Sequence, residues 1–238
     1  SASDVDLNDT LSVVNVQAVL PAGVTYNAGT HSFTLDPSNA AYNSLAVTEQ
    51  TQVTVNYEVS DGIASVPTSI TFTVTGTNDA PTVSAHTDGA LSEDATDPTL
   101  STSGTITFDD ADLSDAHTTS VAAAPGNTLG GVLTASVATG AGAGSVDWSY
   151  SVANAATQSL SDGQIVTENF TVTIADGHGG TVNQLITVTI TGTNDAPTVT
   201  AQTPASVAEG AAALTVDALA SASDVDLNDT LSVVNVQA

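Results

Sequence analysis

Apolar and polar residues alternate along several stretches of this chain. Val53, Val55, Tyr57 and Val59 are separated by Thr, Asn and Glu, and Ile70, Phe72 and Val74 keep the same rhythm. Phe170, Val172 and Ile174 repeat it, as do Ile186, Val188 and Ile190. A period of two marks a strand with one buried face, because successive side chains point to opposite sides of a sheet. Thr fills the outward positions, where its branched Cβ favours extended backbone. Asp61-Gly62 and the run Asp176-Gly177-His178-Gly179-Gly180 lie between such strands and read as hairpin turns. Trp148 and Tyr150 stand two apart on a further strand and read as packing residues. Gly126, Gly130, Gly131 and the run from Gly140 to Gly144 read as loops between short strands. Only 39–45 and 154–160 could be helical, for a turn or two. The expected fold class is all-β.

Repetition organises the chain. Residues 1–18 return unchanged at 221–238, which predicts one period of a longer array. Within that period, Thr-Gly-Thr-Asn-Asp-Ala-Pro-Thr-Val occupies 75–83 and again 191–199, and Asn39-Ala40-Ala41 with Ser44-Leu45 answers Asn154-Ala155-Ala156 with Ser159-Leu160. Boundaries are expected at the Asn-Asp-Ala-Pro linkers. They divide the chain into 1–79, the later part of a shorter repeat; 80–195, a whole repeat; and 196–238, the opening of the next shorter one. The opening strand absent from 1–79 is the one that 196–220 carries, so a continuous fibre or head-to-tail contact between molecules is expected. Each whole repeat has the length of one β-sandwich.

Composition changes the picture in one respect. The chain has 26 acidic residues and neither Lys nor Arg, for a formal charge of −26. Such charge would suggest disorder, but 41% hydrophobic residues supply apolar surface to bury. Bound cations would reconcile the two, since close carboxylates otherwise repel and loosen the compact state. Without a basic side chain the chain cannot neutralise phosphates, which excludes nucleic acid and anionic lipid as partners. Cys is absent, so neither disulfides nor zinc-thiolate sites are available. No apolar run reaches the roughly 18 residues of a membrane span.

The acidic residues recur at matching places. Asp110-x-Asp112-x-x-Asp115 is answered by Asp224-x-Asp226-x-x-Asp229, which is also Asp4-x-Asp6-x-x-Asp9. Glu93 and Glu209 each follow a linker Asn by 15 residues. The linker pairs Asn78/Asp79 and Asn194/Asp195 and the turn residues Asp61 and Asp176 complete the set. An oxygen-only donor set suits a hard cation, and Ca2+ accepts 6–8 oxygens in flexible geometry where Mg2+ demands a stricter one. Glu93, Asp110, Asp112 and Asp115 are expected to gather near one end of 80–195. An ion shared by those loops and the linker would fix the angle between neighbours. The bland reading of the same acids is a set of solvated loops.

The stretch from Gly104-Thr-Ile-Thr-Phe-Asp-Asp-Ala-Asp112 to Ser145-Val-Asp-Trp-Ser-Tyr150 resembles a VCBS repeat. Its continuation does too, from Phe170-Thr-Val-Thr-Ile-Ala-Asp-Gly-His-Gly-Gly180 into Thr191-Gly-Thr-Asn-Asp-Ala-Pro197. This is the bacterial cadherin-like or Ig-like module of giant RTX-type adhesins, and the likeness covers 80–195. The shorter repeat is similar to a cadherin-like relative through its linker, its acidic triplet and Val59-Ser-Asp-Gly62. The resemblance implies tandem β-sandwiches in an extended array, Ca2+ at the junctions, type I secretion and an extracellular or cell-surface place. It implies as ligands the linker Asn-Asp, the following Glu, the Asp-x-Asp group and the Asp-Gly turn. Gly210 stands where the whole repeat has Asp94, so the two junctions are expected to bind ions differently.

The residues hold no catalytic constellation. Asp147 and Asp162 are not placed as a glycosidase pair, and Asp162 reads as solvated. His31, His86, His117 and His178 lack metal spacing, and His178 reads as an exposed turn residue. The leading function is a non-enzymatic extender of an adhesin, whose partners are neighbouring repeats of its own or identical chains. The alternative is a subunit of a self-assembling fibre, sheath or biofilm matrix. A polysaccharide- or ice-binding module ranks third, because Thr here alternates with core residues and forms no motif of its own.

Overall fold

The computed structural model describes residues 2, 9–93 and 96–236. Its early strands are β1 (Ser12–Val14), β2 (Val24–Asn27), β3 (Ser32–Leu35), β4 (Gln50–Ser60) and β5 (Ser65–Thr75). Then follow β6 (Thr82–His86), β7 (Gly89–Ser92), β8 (Thr99–Asp109), β9 (Thr118–Ala123) and β10 (Val132–Ala141). The rest are β11 (Ala143–Ala153), β12 (Ile165–Ala175), β13 (Thr181–Thr191), β14 (Thr198–Val199) and β15 (Ala222–Ser223). Among the described residues two short 3-10 turns, Ala40–Tyr42 and Asn154–Ala156, are the helical content. The fold class is all-β.

Strands β6 to β13 make a closed sandwich of two four-stranded sheets, ordered β10-β11-β8-β6 and β7-β13-β12-β9. Alternation builds its core. Phe170, Val172 and Ile174 of β12 and Ile186, Val188 and Ile190 of β13 point inward and are fully buried. Ile106, Phe108, Val146, Trp148, Tyr150 and Val152 face them from the other sheet. Each such side chain contributes about 1.5–3 kcal/mol of burial. The glycines at 140–144 do not separate short strands. They extend two long ones, with Ala141 opposite Ala143 across a tight turn in which Gly142 takes a φ of +69°.

A charged residue sits among the inward-facing strand positions. Glu168 is in phase with Phe170 and is fully buried. Its carboxylate accepts the backbone N–H groups of Leu129, Gly130 and Gly131 and the Tyr150 hydroxyl. Four donors satisfy the charge and pin the loop before β10.

The strands before β6 repeat part of this plan. They form a sheet ordered β1-β4-β5 and a β2-β3 hairpin. The core between them is small, with Val24, Val53, Val55 and Val74 buried and Phe33, Ile70 and Phe72 half-buried. Beyond the sandwich, the described residues from 196 on pair only through β14 and β15.

Candidate metal centre

The acidic residues singled out by spacing divide between two places. Asp110 follows β8 and Asp176 follows β12, at one end of the sandwich. Glu93 hydrogen-bonds Gln158 and the Thr193 N–H at the other, where Asn154 N–H meets the Pro98 carbonyl. Eleven-residue strands at ~3.4 Å per residue separate the two ends by about 35 Å. Glu93 therefore does not join Asp110, Asp112 and Asp115. β7 runs parallel to β13, and Glu93 is carried on to the end where β13 finishes.

At the first end, short loops turn back on themselves. Asp110 accepts the Asp112 N–H at 3.0 Å, and Asp115 N–H bonds the Asp112 carbonyl at 3.2 Å. Asp176 accepts the N–H groups of His178 and Gly180, which shapes the hairpin between β12 and β13. Gly180 is required there, because a Cβ would fall 2.1 Å from Asp176 Oδ2 and within 3 Å of Ala80. The linker enters this end directly: Asn78 Nδ2 donates to Asp176 at 2.9 Å and Asp79 N–H donates to Asp112 at 2.7 Å.

The result is a buried anionic pocket. Asp110, Asp115 and Asp176 are buried and bring carboxylate oxygens within 4.8 Å of one another. Asp112 is fully buried beside them. Burial raises its pKa above the usual carboxylate range, Asp115, Asp79 and Asp110 push the same way, and the Asp79 N–H opposes them. Burial would raise Asp176 too, but hydrogen bonds from Asn78 and from the N–H groups of His178, Gly180 and Gly179 outweigh it and hold it low. Two histidines attend the cluster. His117 Nε2 lies 2.9 Å from Asp110 with both side chains buried, and His178 Nδ1 lies 3.1 Å from Asp115. His178 is thus held against the cluster rather than merely exposed.

The second end has the same wiring. Asp195 N–H donates to Asp226 at 2.9 Å, Asp226 N–H to Asp224 at 3.1 Å, and Asp229 N–H to the Asp226 carbonyl at 3.2 Å. Burial raises the Glu93 pKa, with the Asp195 and Asp226 carboxylates adding to it against the Thr193 N–H. Asp229 is also raised, by desolvation and then by Asp226, Asp224 and Asp162. Asp162 is exposed, as expected of a solvated residue, but its charge acts on Asp229, so it stands beside this cluster.

Other expected sites lie apart. Asp61 caps the β4–β5 turn by accepting from Ile63 and Ala64, at the end of β4 away from Asn78. Asp9 and Glu209 are exposed. Asn194 is exposed, and its side chain bonds the Asp195 carbonyl. Asp4, Asp6 and Asp94 lie outside the described residues.

Spacing missed one pair of contacts. Ser114 Oγ donates to Glu49 at the first end, and Asn228 Nδ2 donates to Gln164 at the second. Glu49 and Gln164 stand four residues after Leu45 and Leu160, so extending the 39–45/154–160 repeat would have found them. His117 offered no such signal.

The donor set fits a hard dication. All the clustered acids offer oxygen, and a carboxylate oxygen that accepts one hydrogen bond keeps a second lone pair. Asn78 Oδ1 and Asp112 Oδ1 at the first end, and Asp195 Oδ2 and Asp226 Oδ1 at the second, are buried without a hydrogen-bond partner. With no Lys or Arg in the chain, a cation is the complement these oxygens call for.

No family model and no curated protein matches the chain. Among solved structures it is similar to mouse clustered PcdhgC3 EC1-3, at 15% identity and a TM-score of 0.46 over 77% of this chain and 55% of that one. Protocadherin Gamma B2 extracellular cadherin domains 1-5 give 17% and 0.46, over 79% and 34%. Human Protocadherin-24 EC1-2 gives 15% and 0.41, over 82% and 87%. The chain spans about half the length of the first of these. At such values the likeness is loose, and the reading of the acidic ends rests on this chain's own residues.

Proposed function

We propose that the chain is a calcium-stiffened spacer, part of a tandem array in a secreted or cell-surface adhesin of the VCBS type. In this reading 1–79, 80–195 and 196–238 are successive pieces of the array. Asp110, Asp112, Asp115, Asp176, Asn78 and Asp79 hold Ca2+ where the first piece meets the second, and Asp224, Asp226, Asp229, Asp195 and Glu93 hold it at the next junction. The ion supplies positive charge to carboxylates that no basic residue offsets. The carrying observation is the pair of buried, unpartnered carboxylate oxygens on Asp112 and Asp226, each set where a linker N–H meets an Asp-x-Asp loop.

The chain's own residues do the mechanical work. Asp79 and Asp195 tie each linker by a backbone N–H, and Pro81 and Pro197 fix their own φ and hold the preceding Ala80 and Ala196 toward extended backbone. An ion that binds only the assembled ends stabilises them by about 2.7 kcal/mol at a hundred times its dissociation constant. Calcium titration followed by calorimetry and small-angle scattering tests this. Melting should rise by several degrees, particle length should increase, and Mg2+ should substitute poorly. A chelator that alters neither melting nor length would overturn the reading.

A further inference from the structure

The two linkers reach the closed sandwich at opposite ends. β6 starts with Thr82 beside Asp109, at the first end, and β13 finishes with Thr191 at the second. A pull on the linkers therefore draws the opening and closing strands of the sandwich in opposite directions along their axes. The contact that ties them is β7 on β13. β7 continues the chain from β6, and Gly89, Ala90, Leu91 and Ser92 lie parallel beside Val188, Thr189, Ile190 and Thr191. If the chain opens from its first strand, β7 must leave β13. If it opens from its last, β13 must leave β7. Either route breaks the same contact.

Side chains lengthen this contact at both ends. Asp88 accepts the Thr187 N–H at 2.9 Å. Glu93 N–H donates to the Thr191 carbonyl at 2.9 Å, and the Glu93 carboxylate accepts the Thr193 N–H at 3.1 Å. The crossover from β6 has no slack. Thr87 N–H donates to the Thr105 carbonyl at 3.0 Å, and Thr87 Oγ accepts the Thr105 N–H at 3.0 Å. Thr87 is thus held by one sheet and Asp88, its neighbour, by the other. Gly89 permits the crossing, because a Cβ there would fall 2.9 Å from Thr102 Cγ2 and 3.2 Å from Trp148 Cη2. Bonds between paired strands run across the strand axis, so a pull along that axis loads them together.

We propose that residues 88–93 on 187–193 are the mechanical clamp of the repeat, the contact that must shear before a pulled array can lengthen. Tension passes from the first linker along β6, over the crossover and across the clamp into Thr191 and the second linker. Glu93 closes the clamp and also stands among the acids of the second end, so an ion bound there would grip its last bond. The proposal rests on the spacer reading for the source of the pull. It stands on strand geometry rather than on ions.

Optical tweezers on the full 238-residue chain test it. Thr77→Cys and Ala201→Cys, both at exposed positions, take the handles, and the chain has no other Cys. Asp88→Ala should raise the opening rate at fixed force about three- to tenfold, as loss of one hydrogen bond from the barrier does. Asp88→Asn keeps an acceptor oxygen and should raise it less. Asn183→Ala removes a 2.7 Å bond from Thr173 between β12 and β13, outside the clamp, and should change the rate less than about twofold. Calcium affinity should stay the same in all three. An opening rate unchanged by Asp88→Ala would overturn the clamp even if melting falls, as would an equal rise in Asn183→Ala. So would a separate, weaker step in which β6 and β7 leave first. If instead a chelator leaves melting and length unaltered while Asp88→Ala still speeds opening, the calcium reading fails and the clamp stands.

Discussion

At one end of the closed sandwich the 110–115 loop meets Asp79 and Glu49; at the other the 224–229 loop meets Asp195 and Gln164. The backbone wiring is the same to within a few tenths of an ångström. The added charges differ. The first end brings in Asp176 from a hairpin and two histidines, whereas the second brings in Glu93 and Asp162. A common loop geometry therefore serves as a frame, and neighbouring strands decide how much charge each frame holds. The first end is the more buried, with four Asp residues out of solvent against one Asp and Glu93 at the second.

The largest difference should follow removal of the carboxylate at the centre of each frame. Asp112→Ala deletes a charged acceptor worth about 1.5–3 kcal/mol, so calcium affinity at the first end should fall roughly ten- to hundredfold. Asp226→Ala should affect only the second end and lower the melting temperature less. Calorimetric titration of both variants reads this. Equal losses of stability would show that depth of burial does not rank the two ends.

A smaller effect is expected from exchanging the residues at the rim. Glu49→Gln should make the first end resemble the second and weaken calcium there about two- to fivefold, as expected for a partly exposed charge. Gln164→Glu should strengthen the second end by a similar factor. Asp162→Asn is expected to do less again, lowering affinity only at the second end, where the Asp162 charge raises the Asp229 pKa. Isothermal titration of these three variants, with the wild type alongside, separates rim from centre.

The smallest effect on either end should come from the sandwich between them. Burial raises the Tyr150 pKa, and the hydrogen bond and charge of Glu168 raise it further. A raised pKa in the folded state means that this contribution to stability is full below the unfolded value near 10. It is lost as pH rises above that toward the folded value. Tyr150→Phe should flatten the alkaline fall in melting temperature and leave both calcium affinities unchanged. A shift in either affinity would show that the ends are coupled through the core.

Much of this was legible in the residues. The phase of Val53 to Val59 and of Phe170 to Ile174 names the strands, and the recurrence of Asp-x-Asp-x-x-Asp beside Asn-Asp names the two frames. The same phase includes Glu168, whose inward position could have been read from Phe170 two residues on. Glu93 misled because its spacing from the linker is constant while the chain between them, β6 and then β7, runs from one end of the sandwich to the other. His117 and His178 carried no pattern at all.

By itself the sequence determined the all-β class, the repeat and the acids that recur, because alternation and duplication are local properties of a string. Tertiary structure alone decided which acids share an end, since a parallel β7 carries Glu93 away from its sequence neighbours. It also decided that Asp112 and Asp226 keep a buried oxygen without a partner. Burial and distance are set where strands from two sheets finish, and no single strand records where the others stop.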